Sequence, residues 1–312
     1  MRYDKERKIM LKNKDLSRKR VAFIYIAVTL LLTWAVQFIP IILHMNVEDT
    51  SISSFDPSSV FFVIGGMLPS LIGVVFAMTL YTKEARRDFI TRCFVPNRHC
   101  VLPIIISLAL ICLESFVAQM IAKQFGAADF GFEGLKLIAS NPLMLFYFLF
   151  WGLISGPLSE EFGWRGFLTD CLFDKDKAAR VALLIGAVWG IWHLPLYFYP
   201  AQIQYQWFQI SPLLGIGFII NCMSNALVYS AIYVVSGRRV FPIFFLHMFE
   251  NIILTGAMIY PFSDIYSIIV VPVSIVIDIV FYVVFTRTGY YKRAADKLVL
   301  FSAKGGSGTI LS

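Results

Sequence analysis

Three short strings place chemistry-bearing side chains in a chain that is otherwise strongly apolar. They are Glu160-Glu161-Phe162-Gly163-Trp164-Arg165, Trp189-Gly190-Ile191-Trp192-His193 and His247-Met248-Phe249-Glu250-Asn251. On a helix Glu161 and Arg165 are four residues apart and share a face, so carboxylate and guanidinium can pair. Glu160 points about 100° away from that face and has no built-in cation. It is the carboxyl group suited to general acid or base work. His247 and Asn251 again share a face, and both can donate hydrogen bonds to an oxyanion. Histidine can instead bind a metal, but asparagine is a poor partner for zinc, and the sequence contains no H-E-x-x-H. It contains no G-x-S-x-G elbow either, which leaves a serine nucleophile weakly supported. Paired carboxylates, two histidines and an amide fit hydrolysis by an activated water, held between a base and the substrate carbonyl.

The elements that must position these groups are set by composition. Of 312 residues, 58% are hydrophobic and 15% charged, against about 25% charged in an ordinary soluble domain. These proportions exclude a water-soluble enzyme, a disordered chain and a small disulfide scaffold. The expected fold is all-α: a polytopic membrane helix bundle of about eight transmembrane helices in a cell membrane. The predicted spans are 21–44, 59–81, 101–121, 142–168, 181–199, 211–235, 241–260 and 265–286. With the N-terminus inside, the inner segments carry 24 of the 27 Lys and Arg residues. The outer loops carry two, Lys123 and Lys136, and the one left is Arg165. The split predicts that both termini are cytoplasmic. Domains follow as a basic tail 1–20, a transmembrane domain 21–286 with its core motifs in 145–255, and a flexible cytoplasmic tail 287–312. The basic tail holds nine Lys and Arg and abuts a span, which points to membrane lipid as a partner and not to nucleic acid. The stretch 83–92 reads as a short amphipathic helix on the inner surface.

An ionisable side chain at mid-bilayer costs roughly 2.5–3.5 kcal/mol on insertion scales, so these faces must point into the bundle. Pro157 can open a fresh helical segment. Pro195 would bend the fifth span just after His193. Gly156, Ser159, Gly163 and Gly166 form a small strip suited to close helix packing. Straight helices with the predicted ends would put His193 deeper than Glu160 and His247, and the site would not assemble. Glu250, about 100° from Asn251, reads as a packing residue. Glu114 and Asp278 are open between buried partners, a cavity lining and peptide binding. Asn221 and Asn225 suit interhelical hydrogen bonds. Cys93, Cys100, Cys112, Cys171 and Cys222 lie outside the predicted outer loops and read as reduced packing thiols.

Together the three strings resemble the motifs E-E-x-x-x-R, F-x-x-x-H and H-x-x-x-N of the CPBP intramembrane proteases, named for CAAX proteases and bacteriocin-processing enzymes and also called Abi proteins. The likeness covers about 145–255 closely and departs by Trp189 in place of Phe. The resemblance implies an intramembrane endopeptidase acting on a membrane-associated substrate, prenylated or bacteriocin-like. It implies that Glu160 activates water with help from His193, that His247 and Asn251 stabilise the oxyanion, and that Arg165 anchors Glu161. The family is described both as metalloprotease and as metal-free glutamate protease. The residues favour no obligatory metal, with a zinc site of Glu160, His193 and His247 as the alternative. Other readings are a peptide-binding or bacteriocin-immunity protein that keeps the fold, and a transporter, for which no inverted repeat is found.

Overall fold

In lipid a backbone N–H finds no water, so an apolar chain must satisfy its peptide groups internally, and helices are the local solution. The computed structural model describes residues 11–13, 15–47, 57–127, 132–154, 156–254 and 263–303. Among them the one β feature is an isolated bridge between Leu11 and Tyr81. Helices α1 (Arg18–Ile42) and α2 (Pro57–Leu80) are followed by the short α3 (Lys83–Phe94) and the long α4 (Val101–Gln124). After α5 (Glu133–Ser140) comes a broken span. It is built from α6 (Leu143–Ile154), α7 (Pro157–Glu161), a π-helical turn (Phe162–Leu168) and α8 (Thr169–Leu172). Helix α9 (Ala178–Trp192) ends in a 3-10 turn (Leu194–Phe198), then α10 (Ile203–Ile210) leads to α11 (Pro212–Val235). Helix α12 (Phe241–Phe249) runs into a second π-helical turn (Glu250–Leu254), and α13 (Asp264–Phe285) and α14 (Gly289–Ala303) follow.

Among the described residues, seven helices are long and apolar enough to cross a membrane. The seventh predicted span, 241–260, corresponds to a shorter apolar helix, Phe241–Ile253, and its residues 255–260 lie outside the described ones. The segment 287–312, expected to be flexible, instead carries α14. Its Tyr291, Ala294, Ala295 and Leu298 recur at helical spacing and pack against the core, which is why it orders; residues 304–312 lie outside the described ones. Of the basic tail, Arg18, Lys19 and Arg20 form the first turn of α1, capped by Ser17. Outward-facing Leu31, Phe146 and Leu213 are 67%, 69% and 77% exposed, a surface that suits lipid and not water. All five cysteines are free thiols.

Small residues set how closely the helices meet, because in lipid helix association relies on packing and not on the hydrophobic effect. Helix α11 is the most enclosed, with 72% of its central window buried. Helix α9 lies on it through Gly186 and Gly190. A Cβ at Gly186 would sit 2.6 Å from the Cys222 carbonyl oxygen, and one at Gly190 would sit 3.0 Å from Ile219 Cα. The two glycines fix the rotation of α9 and so the direction of Trp189. On the other side, the π turn meets α2: a Cβ at Gly163 would lie 2.2 Å from the Pro69 carbonyl oxygen and 2.3 Å from the Tyr25 hydroxyl. That hydroxyl donates to the same carbonyl at 3.0 Å. The strip expected to pack closely does so at Gly163.

Gly163→Ala is therefore expected to lower thermal stability in detergent by an amount on the order of 1–3 kcal/mol, the usual cost of overpacking. Gly66→Ala, where a Cβ meets nothing within 4 Å, should leave the melting temperature nearly unchanged.

Candidate active site

The site begins with a break in a span. Pro157 has no N–H to donate and its φ suits a first helical turn, so the chain restarts there as α7 and delivers Glu160 and Glu161 from a fresh helix end. The π turn then carries Arg165. Arg165 Nη1 donates to Glu161 Oε1 at 2.8 Å, and His247 Nδ1 meets the same oxygen at 2.8 Å. All three are buried, at 2%, 0% and 4% exposure. The Arg165 guanidinium lies over two aromatic rings, 4.4 Å from the Trp189 centroid and 3.9 Å from that of Tyr229, and the two centroids are 5.7 Å apart. A cation in the corner that two rings form gains cation–π attraction from each. Glu161 Oε2 and Arg165 Nη2 are buried without a hydrogen-bond partner.

Trp189 organises the second half. Its indole Nε1 donates to Glu160 Oε2 at 2.5 Å, and its backbone carbonyl meets His193 Nδ1 at 2.8 Å. A carbonyl only accepts, so His193 Nδ1 carries the hydrogen and Nε2 is left with its lone pair. The Trp189 ring lies edge-on to both histidines, with centroids 5.7 Å from His193 and 5.6 Å from His247. His193 stands at the junction where α9 gives way to the 3-10 turn that contains Pro195. The depth conflict expected for straight helices disappears, because the fourth span is interrupted and the fifth tightens at His193.

The third element is a close contact at a glycine. A Cβ at Gly156 would lie 2.5 Å from His247 Nε2 and 2.7 Å from Asn251 Nδ2. Those two nitrogens thus converge on the glycine, and the Gly156 carbonyl accepts the Glu160 amide at 2.9 Å. Asn251 reaches this point from the π turn after α12. Glu160, Glu161, Arg165, His193, His247 and Asn251 are accordingly brought into one cluster.

Trp189 and Tyr229 were not singled out as site residues from the sequence. The only signal for Trp189 was its departure from Phe; Tyr229 left none, since its partners lie on other helices. Tyr229 donates to Glu250 Oε2 at 2.6 Å, which gives Glu250 a supporting contact behind Arg165. Glu114 and Asp278 form a separate buried cluster between α4, α11 and α13, where Ser224 donates to Asp278 Oδ2 at 2.8 Å. Asn221 Nδ2 meets Asn225 Oδ1 at 3.5 Å, a contact within one helix and not the expected one between helices. Among the described residues, no three His, Cys, Asp or Glu side chains gather so as to hold a metal ion.

The sequence model of the family described as type II CAAX prenyl endopeptidase Rce1-like matches residues 142–253. The chain is also similar to "CAAX prenyl protease 2" of Methanococcus maripaludis, at 24% identity over 197 residues, 60% of this chain and 69% of the relative.

Arg165→Met leaves Glu161 with only its histidine partner, and the loss of stability should be on the order of 3–5 kcal/mol, as for a broken buried pair. Arg165→Lys should recover part of it, since an ammonium keeps the charge but has no planar face to lay on a ring. Thermal unfolding of the two variants in detergent measures both.

Proposed function

From matches that support the CAAX-protease (CPBP) family, we propose that this chain is an intramembrane endopeptidase that hydrolyses a peptide bond of a membrane-associated substrate, such as a prenylated C-terminal peptide, at the cytoplasmic side of the membrane. The observation that carries the reading is the convergence of His247 Nε2 and Asn251 Nδ2 on Gly156, one helical turn before Glu160.

Water sits against Glu160 Oε1, the oxygen that Trp189 leaves open, and donates a hydrogen to the lone pair of His193 Nε2. Glu160 takes one proton as the water oxygen bonds to the carbonyl carbon. The carbonyl π electrons move to oxygen, and that oxyanion accepts from His247 Nε2–H and Asn251 Nδ2–H beside Gly156. Collapse re-forms the carbonyl and breaks the C–N bond, and Glu160 returns its proton to the leaving amine. His247 donates from both nitrogens as an imidazolium, one to Glu161 and one to the oxyanion. Two carboxylates, a guanidinium and an imidazolium then sum to zero, which suits a cluster inside a bilayer. No step passes through a metal.

Purified full-length chain is expected to cleave a membrane-anchored, prenylated peptide, and Glu160→Gln should lower kcat by roughly 10²–10⁴. A folded Glu160→Gln chain that cleaves at the normal rate would sink the mechanism. Gly156→Ala, whose Cβ would push against both donor nitrogens, is expected to cost about as much as losing an oxyanion donor, on the order of 10²–10³. Trp189→Phe keeps the ring and removes the donor to Glu160, and should lower kcat by roughly ten- to a hundredfold with KM little changed.

A further inference from the structure

Helix α3 has two faces with different partners. Ala85, Phe89, Arg92 and Cys93 are 8%, 1%, 3% and 1% exposed and pack inward. There Arg92 Nε is bonded to Asp88 at 2.8 Å and its Nη2 to Asp170 at 3.1 Å. The other face, at positions i, i+3, i+4, i+7 and i+8, is Lys83, Arg86, Arg87, Ile90 and Thr91. With Met78 of α2 these residues line a cavity of about 390 Å³.

Three cations on one helical face repel one another, and no acid lines this cavity. The acids on α3 offset them little. Asp88 is committed to Arg92 and, at 3.2 Å, to Arg238, while Glu84 neighbours only Arg87, three residues on. Arg86 Nε is shielded from solvent and has no hydrogen-bond partner. A charged donor that is covered and unpaired is costly unless an anion meets it. The cavity thus lacks a compact, multiply accepting anion.

The position in the fold identifies the class of anion. Helix α2 ends at Leu80 and α3 begins at Lys83, so the cavity lies where a spanning helix leaves the membrane. Beside the cations, Ile90, Phe94 and Val95 are 45%, 57% and 50% exposed, an apolar surface that fits acyl chains. Arginine and lysine meet phosphate oxygens with several donors, and a lipid supplies the phosphate and the chains together. We propose that the Lys83–Arg86–Arg87 face of α3 is a binding site for the phosphate headgroup of an anionic membrane lipid.

The test uses the full-length chain in detergent, followed by thermal unfolding with added phosphatidylglycerol, phosphatidylcholine or inorganic phosphate. Phosphatidylglycerol should raise the melting temperature more than phosphatidylcholine, and inorganic phosphate should not reproduce the rise. Lys83→Gln/Arg86→Gln/Arg87→Gln should remove the difference between the two lipids, with roughly a fivefold loss of apparent affinity for each cation removed. Lys292→Gln/Arg293→Gln, on α14, should keep it. If the triple variant does not fold, Arg86→Gln alone decides by the same comparison. An unchanged lipid difference in the folded variant would overturn the site, as would equal rises with both lipids. A full rise with inorganic phosphate would overturn the assignment to lipid.

Discussion

A carboxylate that is fully buried in an apolar bundle persists only if cations reach it, because neither water nor the low-dielectric surroundings will stabilise its charge. Glu161 meets that condition with one oxygen, shared by Arg165 from the next turn and His247 from another helix. Much of the interior follows from this arrangement. The guanidinium is in turn held by Trp189 on α9 and Tyr229 on α11, and Tyr229 holds Glu250. A single charge requirement therefore ties together the broken span, α9, α11 and α12. Glu160, the neighbouring carboxylate, is left outside that ion pair and is bonded by an indole instead.

The split of duties between the two glutamates was legible in the sequence, because residues four apart on a helix share a face whatever surrounds them. The spans were legible for a similar reason: a bilayer demands long apolar runs, and seven of those expected appear as helices of sufficient length. What eluded the sequence depends on contacts between helices. Trp189 looked like an exchange of one aromatic residue for another, but its indole N–H bonds Glu160 and its carbonyl fixes the tautomer of His193. Periodicity cannot show either bond. The seventh apolar run forms a helix that passes into a π turn at Glu250, and hydropathy, which counts apolar residues, is blind to that change of helix type. The order in α14 was hidden by its charges, which interrupt an apolar stripe that still packs on the core.

Glycines do two different jobs in this bundle. At Gly163, Gly186 and Gly190 the missing side chain lets another helix approach, so the space is filled by backbone and neighbouring atoms. At Gly156 it lets two polar side-chain nitrogens, of His247 and Asn251, come up against the chain. The first kind of position sets helix rotation and the second sets where two hydrogen-bond donors stand. Both look alike in a sequence, as small residues spaced along apolar runs.

The π turn from Phe162 to Leu168 has a consequence for the length of the fourth span. Such a turn carries one residue more than an α-helix would need to close the same rise. A single deletion there can therefore be absorbed by closing the turn as an α-helix, with little change in length or in the direction of α8. A deletion in a plain α-helical span has no such reserve: it shortens the helix by about 1.5 Å and turns everything downstream by about 100°. For this segment the surplus residue, and not membrane thickness, sets how much chain can be lost before Asp170 leaves Arg92.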